Sequence, residues 1–184
     1  IVRRSEHTGE FWAINQLYME HYLRGIAEQS NGTHKTHLKT MTTIARTYAQ
    51  WHFEHGGKHP ENYFHLNNTS GDQVYKGYNF EVRGPNIRQA VERTQGKMVV
   101  KNGEIAITPY FSSSDGRTRS WSEVWHGSFD HLITRPDPWC KGRSLNGHGV
   151  GLSAYGALMQ AYEGKGYINI LKYYYTGVNI RDYY

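Results

Sequence analysis

Cysteine and long apolar stretches are both scarce in this sequence of 184 residues. Cys140 is the only cysteine, so an intrachain disulfide and a cysteine-rich metal site are both excluded. No segment approaches the roughly 20 apolar residues that a membrane-spanning helix needs, and no signal peptide is visible at the N-terminus. The abrupt start at Ile1 is compatible with the removal of a leader, an anchor or an upstream domain.

The chain also lacks a run of basic residues. It has 21 Lys and Arg against 16 Asp and Glu, a net charge of +5 and a pI of about 9.2. This excess favours an anionic partner or environment, such as nucleic acid or an anionic cell wall. Because the basic residues are scattered, they do not mark a nucleic-acid groove, and a nucleic-acid binder is the weakest of the functions considered.

Aromatic residues, by contrast, are abundant, with 15 Tyr, 5 Trp and 6 Phe. The composition, 38% hydrophobic and 20% charged, is that of a globular protein, and the length most simply fits one domain over residues 1–184. Tyrosines in such numbers offer flat, amphipathic surface suited to sugars, bases or another protein. The alternative is that most of them line the core.

Two helices joined by a polar turn are predicted early in the chain. Apolar residues at helical spacing indicate a first helix over Ile14 to Glu28, and Asn31-Gly32 supplies the break after it. The second helix follows and presents one apolar face. That face consists of Leu38, Met41, Ala45, Tyr48, Ala49 and His52.

Further elements include short helices and strands, and the fold expected for the whole chain is α+β, with helices packed on a small, mostly antiparallel sheet. Pro85 suits the first position of a short helix, and Asn102-Gly103 between two apolar triplets predicts a type I′ hairpin. Residues 1–12 are expected to form a strand or an edge, residues 63–84 to be irregular with a short strand or two, and residues 130–146 to be a loop. Two more helices are predicted over Ser153 to Glu163, with Ser153 as a possible N-cap, and over Tyr167 to Tyr175.

Four segments, in this order, resemble the stage II sporulation protein D (SpoIID/LytB) family. Together they span about residues 14–180, and their order and spacing make the resemblance specific. The family form of the first is YLxGVxPxEM, and the last is usually GHGVGMSQYGA followed by ILKHYYPGT. The segments here are YLRGIAEQSN with IARTYA, FHLNNTSGDQVYKG, YFSSSDGRT, and NGHGVGLSAYGA with ILKYYYTGVNI.

The resemblance implies a protein active on peptidoglycan, either a lytic transglycosylase or an amidase enhancer. Such a transglycosylase cuts glycan strands stripped of their stem peptides and needs a single Glu. That Glu protonates the oxygen between N-acetylmuramic acid and N-acetylglucosamine, then accepts the proton of the muramyl 6-hydroxyl, which attacks C1 and leaves a 1,6-anhydro sugar. To act as an acid near neutral pH, its pKa must be raised by burial or apolar neighbours.

Glu28 is the predicted catalytic residue, although it departs from the family pattern. The family Glu lies eight residues after the Tyr, a position held here by Ser30, and Glu28 is the only carboxylate between Gly25 and Glu54. Either a local shift gives Glu28 the catalytic role, or the acid is lost and the protein only binds.

Predicted substrate contacts come from the same segments. Arg46 would pair with the acid or with the muramyl lactyl carboxylate, or would form a structural ion pair. The serine-rich segment would line the cleft or satisfy a turn, and the GHG segment and the helix after it would supply the remaining contacts. Besides Arg46, the predicted substrate-binding residues are Tyr110, Ser112, Ser113, Ser114, Arg117, His148, Ser153 and Tyr155.

No cofactor or metal is expected. Where some relatives carry Cys and His ligands in the central segment, this chain has Asn67, Gly71 and Asp72, which argues against a structural zinc site. His34 and His37 have helical spacing, but no set of three histidines has convincing ligand spacing.

The leading hypothesis is a lytic transglycosylase-like enzyme with a long glycan-binding cleft. Its rival is a cell-wall-binding or amidase-enhancing module without catalytic activity. Both imply an extracytoplasmic location and glycan strands as the partner, with a peptidoglycan amidase as a further partner of the second.

Overall fold

The computed structural model describes all residues from 1 to 184, as six helices and seven short strands. The helices are α1 (Met19–Arg24), α2 (Lys35–Glu54), α3 (Tyr78–Arg83), α4 (Pro85–Arg93), α5 (Ala154–Tyr162) and α6 (Tyr167–Tyr174). The strands are β1 (Val2–Arg4), β2 (Phe11–Ala13), β3 (Lys97–Lys101), β4 (Glu104–Ile105), β5 (Tyr110–Phe111), β6 (Leu152–Ser153) and β7 (Asn179–Asp182). The predicted α+β class is confirmed.

The strands form three small sheets rather than one. β1 and β2 make an antiparallel hairpin, and β3 pairs antiparallel with both β4 and β7. β5 and β6 pair in parallel. The β3–β4 turn is the predicted one: Asn102 and Gly103 both have positive φ, at 53° and 92°, as a type I′ turn requires.

Helix α2 lies at the centre of the molecule and packs against α1, α4, α5, α6 and β3. Twelve of its 20 residues are buried, so its buried surface is wider than one apolar stripe. Its buried threonines are satisfied internally: the hydroxyls of Thr43 and Thr47 donate to the carbonyls of Lys39 and Thr43. Thr47 also accepts from the backbone N–H of Val99, which ties the helix to β3.

The main core contains 15 buried residues contributed by α2, β3, α5, α6 and the segments between them. A smaller cluster of Leu23, Ile26, Ala45 and Val91 joins α1 to α2 and α4. The face predicted for the second helix is confirmed at Leu38, Met41, Ala45, Ala49 and His52.

Two predictions of secondary structure need correction. The first helix is shorter than the predicted Ile14 to Glu28, because Gly25 ends it and Ile26 then forms a bridge with Tyr75. The segment 63–84 contains helix α3 and isolated bridges, not the short strands expected. No helix has both the length and the apolar composition needed to cross a membrane.

Candidate functional site

A cleft of about 880 Å³ opens between α2, the start of α5 and the loops around β5. Of the residues predicted to form the site, Glu28, Tyr110, Ser112, His148 and Tyr155 all line it. These side chains come from three of the four family-like segments, which are widely separated in the sequence. The fold therefore gathers half of the predicted site around one opening.

Glu28 is placed by backbone pairing with the Gln-Val-Tyr segment. Ala27 donates its N–H to the carbonyl of Val74 at 2.8 Å, and Lys76 donates to the carbonyl of Gly25 at 2.8 Å. The N–H of Val74 in turn donates to Oε1 of Glu28 at 2.7 Å. The close approach needs glycine at position 25, since a Cβ there would overlap the ring of Tyr75.

The environment of Glu28 suits an acid. Burial raises the pKa of its carboxyl above the usual 4.5, and the Val74 N–H and the Tyr110 hydroxyl offset only part of that effect. No Lys or Arg forms a salt bridge with it. Because Oε1 is held by the backbone, Oε2 is the oxygen without a backbone partner.

A chain of hydrogen bonds supports this corner of the cleft. The hydroxyl of Tyr22 donates to Oε1 of Gln73 at 2.8 Å, and Nε2 of Gln73 donates to the Tyr110 hydroxyl at 3.3 Å. Burial, followed by the charge of Glu28, raises the pKa of Tyr110 well above 10, so its hydroxyl keeps its proton. With Gln73 as donor to its oxygen, Tyr110 can donate that proton toward Glu28.

The GHGVG segment forms the opposite wall. Nδ1 of His148 accepts from the N–H of Val150 at 3.0 Å, and burial lowers the pKa of the ring. The segment depends on its glycines: Gly147 has φ of 105°, and a Cβ there would lie 2.7 Å from Cβ of Phe111. His148 therefore lines the cleft as a neutral ring fixed by its own loop.

An aromatic wall, consisting of Phe111, Trp121, Trp125 and His148, lines one side of the cleft. The ring of His148 lies 4.8 Å from that of Trp125 and 5.6 Å from that of Phe111, centroid to centroid. Trp121 and Trp125 are 4.5 Å apart. Such faces pack against the C–H surfaces of sugar rings while hydroxyls at their edges stay hydrated.

A polar cluster closes another side of the cleft. Asp72 pairs with Lys58 and, at 2.6 Å, with Nε2 of His59. Lys58 also donates to the carbonyl of Gly71 at 2.8 Å and to the hydroxyl of Tyr48 at 3.3 Å. All three ammonium protons of Lys58 therefore have acceptors within the protein.

Arg46 does not belong to the cleft, and the expectation that it contacts Glu28 or substrate is wrong. Its side chain is fully buried and holds Glu20 through two hydrogen bonds of 2.8 Å, from Nε and Nη2. Burial alone would raise the pKa of Glu20, but the bonds and charge of Arg46 outweigh it and the pKa is lowered. The pair is structural, joining α1 to α2.

Four other predicted contacts also lie outside the cleft lining. Ser113 donates to the carbonyl of Ser144, and Ser114 to Asp137, both as buried groups that satisfy turns. The side chain of Ser153 caps α5 by accepting from the backbone N–H of Gly156, as expected of the N-cap predicted there. Arg117 pairs with Glu123 and lines a separate open depression of about 490 Å³, together with Asp115, Gly116, Pro136, Pro138 and Lys141.

Several cleft residues were not predicted. Gln29, His37, Met41 and Leu158 lie on or beside helices whose spacing indicated only a core face. Trp121 and Trp125 could have been predicted as binding residues, since two tryptophans four residues apart in a polar segment are unusual. No group of three or more His, Cys, Asp or Glu side chains is arranged to hold a metal ion.

Comparison with known proteins identifies the family. The family model described as SpoIID, stage II sporulation protein, matches residues 7–100, just over half of the chain. The chain belongs to the SpoIID family. The family resemblance noted from its motifs is thereby confirmed.

Individual relatives of this SpoIID chain differ in how much they cover. The amidase enhancer of Bacillus subtilis (strain 168) is 36% identical over 100 residues, which is 54% of this chain but only 12% of that protein. Stage II sporulation protein D of the same organism is 22% identical over an alignment of 261 positions, covering 92% of this chain and 76% of that protein. An uncharacterized protein of Brachyspira hyodysenteriae is 25% identical and covers 92% of this chain and 68% of its own length.

Proposed function

We propose that this SpoIID chain cleaves the glycan strands of peptidoglycan as a lytic transglycosylase, with Glu28 as the single acid and base. The family and the names of the relatives support a role in the cell wall, and with it an extracytoplasmic location. The observation that carries the catalytic proposal is the half-buried Glu28 carboxyl, which lines the cleft beside Tyr110 with its pKa raised by burial.

The reaction requires little more than this carboxyl. In its protonated form Glu28 donates a proton to the glycosidic oxygen, and the bond from that oxygen to C1 of the muramyl residue breaks. The resulting carboxylate takes the proton of the muramyl 6-hydroxyl, whose oxygen bonds to C1 and closes a 1,6-anhydro ring. Glu28 ends the cycle protonated and no water is consumed, so no second carboxylate is required.

Surrounding groups supply binding and polarity. The aromatic wall offers stacking surface for sugar rings, and the exposed Ser112 and the half-buried Tyr155 offer hydroxyls. Arg143 stacks on Tyr155, with its guanidinium 3.8 Å from the ring centroid, and so holds that ring at the rim. The Tyr110 hydroxyl stabilises the ionised form of Glu28 after the first proton transfer.

The second candidate is an amidase-enhancing module without catalysis of its own. Ser30, at the family position of the acid, is exposed and carries no carboxylate. Glu28 accepts a backbone N–H, which is also what a structural carboxylate would do. The name of the amidase enhancer relative makes a peptidoglycan amidase the partner to test.

Digestion of denuded glycan strands separates the two functions. Wild type is expected to release products with 1,6-anhydromuramyl ends, identified by mass, and Glu28→Gln to lose at least about a hundredfold in rate. Glu104→Gln is the matched control, because Glu104 is exposed at the start of β4 and does not line the cleft. Reducing ends would indicate hydrolysis instead.

Failure of wild type to cleave would favour the second candidate. In that case the chain should still raise the activity of a purified peptidoglycan amidase, and Glu28→Gln should raise it equally. Ser30→Glu, which restores a carboxylate at the family position, would then be expected to create cleavage activity if position alone is limiting.

A further inference from the structure

A buried histidine beside the proposed acid has no role in the mechanism above. His37 is 1% exposed, yet it lines the cleft together with Gln29, the residue after Glu28. Nε2 of His37 lies 2.6 Å from Oε1 of Gln29. Through this contact α2 holds the side chain of Gln29, the residue that follows Glu28.

The hydrogen-bond pattern determines which group Gln29 offers to the cleft. Burial lowers the pKa of His37 to about 4, so the ring is neutral near pH 7 and carries one N–H. Nδ1 of His37 is buried and has no hydrogen-bond partner. An unpaired lone pair costs less there than an unpaired N–H would, so the proton of the neutral ring lies on Nε2. Oε1 of Gln29 accepts it, and the amide NH₂ of Gln29 has no acceptor within the protein.

Apolar side chains from two helices line the same cleft as this pair. Met41 follows His37 by one helical turn, and Leu158 follows Ala154 by one turn. The rings of His34 and Tyr162 lie 5.3 Å apart, so the start of α2 meets the end of α5. All three apolar residues, Met41, Ala154 and Leu158, line the cleft.

An oriented amide donor beside an apolar recess matches one substituent of a wall glycan, the acetamido group at C2. We propose that Gln29, Met41, Ala154 and Leu158 form an acetamido pocket, in which the NH₂ of Gln29 donates to the acetamido carbonyl and the methyl group packs on the apolar side chains. His37 acts as a positioning residue that orients the Gln29 amide. This inference deepens the proposed function, because it assigns an N-acetylated sugar to the subsite beside Glu28.

Binding measurements can test the pocket without requiring cleavage. Calorimetric titration would compare a β-1,4-linked N-acetylglucosamine hexamer with a glucose hexamer of the same linkage, which has a hydroxyl in place of the acetamido group. Wild type and Glu28→Gln are expected to bind the acetylated sugar roughly tenfold more tightly than the other. Gln29→Leu is expected to reduce that ratio to about two, and His37→Gln to reduce it in the same direction.

Gln50→Leu is the control, because Gln50 lies on α2 but outside the cleft and should keep the ratio of wild type. Using the ratio of two affinities separates recognition from a general loss of folded protein. An unchanged ratio in Gln29→Leu, or equal binding of both sugars by wild type, would overturn the pocket. Acetyl-dependent binding without any anhydro product would leave the pocket standing and refute the catalytic proposal.

Discussion

At the residue scale, Glu28 is held by a backbone N–H and by burial rather than by a charged partner. This distinguishes it from Glu20, whose carboxylate is neutralised by Arg46. The two carboxyls therefore have pKa values shifted in opposite directions, Glu28 upward and Glu20 downward. Such divergence is how a fold assigns a proton-donating role to one carboxyl and a structural role to another.

The raised pKa of Glu28 predicts a pH dependence of stability. Because the folded state keeps this proton to higher pH than the unfolded chain, its contribution is complete below pH 4.5 and is lost as pH rises through the folded pKa. Glu28→Gln does not titrate, so wild type should lose stability relative to this variant between acidic and neutral pH. Urea unfolding of both proteins at several pH values measures the difference, and a constant difference would contradict a buried Glu28.

Arg46 predicts a large loss of stability rather than a loss of substrate binding. Arg46→Met leaves Glu20 partly buried without a counter-ion, which should lower the free energy of unfolding by about 3 kcal/mol. Arg117→Met breaks only an exposed pair with Glu123 and should cost less than about 1 kcal/mol. Urea denaturation checks both, and similar small losses would argue against the buried pair.

At the scale of elements, the turn after α1 is what brings the candidate acid to the cleft. Gly25→Ala would force its Cβ into the ring of Tyr75, which stacks on Tyr22 at 5.5 Å. The expected cost is about 1–3 kcal/mol, with a further loss of cleavage because the pairing of this turn with Val74 is displaced. Gly32→Ala, whose Cβ would meet only Ser30 Oγ at 3.9 Å, should be nearly neutral in both measurements.

Gly151 in the GHGVG loop and Gly142, which precedes that loop, allow a sharper comparison because their φ values are similar. Gly151 has φ of 78° and Gly142 has φ of 82°. Gly142→Ala meets no atom within 4 Å and should cost only the backbone strain, roughly 1 kcal/mol. Gly151→Ala would in addition overlap the carbonyl of Pro109, so a cost above about 3 kcal/mol is expected by thermal or urea unfolding.

Elements with local signals were predictable from the sequence. The β3–β4 turn followed from Asn102-Gly103, and α4 from Pro85, because both depend on backbone preferences of neighbouring residues. The end of α1 was not predictable, because it is set by a bridge between Ile26 and Tyr75, 49 positions apart. The partner of Arg46 was missed for the same reason, as Glu20 precedes the motif on another helix.

At the scale of the whole molecule, the excess of 21 basic over 16 acidic residues predicts salt-sensitive binding to an anionic wall. Binding to purified sacculi should weaken when the salt concentration rises from about 0.05 M to about 0.5 M, because screening shortens the range of charge attraction. Co-sedimentation measures this directly. Binding of a neutral N-acetylglucosamine oligomer should change little over the same range, and equal salt sensitivity of both ligands would contradict charge attraction as the cause.

The family and the α+β class were accessible from the sequence, since the family motifs are short, contiguous and in a fixed order. The cleft was accessible only in part. Tyr110 and His148 belong to motifs, whereas Lys58, Asp72 and Trp125 reach the cleft through tertiary packing that no local pattern records. The assignment of the site residues as catalytic or binding groups stays a proposal, as does the single domain over residues 1–184.

Two of the five tryptophans, Trp121 and Trp125, lie in the aromatic wall of the cleft and are half-buried. Indole fluorescence depends on the polarity of its surroundings, so a sugar that displaces water from this wall would shift the emission to shorter wavelength. The protein thus contains its own optical reporter of cleft occupancy. Ligand affinity and exchange rates can be followed on the unlabelled chain, since the other three tryptophans, Trp12, Trp51 and Trp139, do not line the cleft.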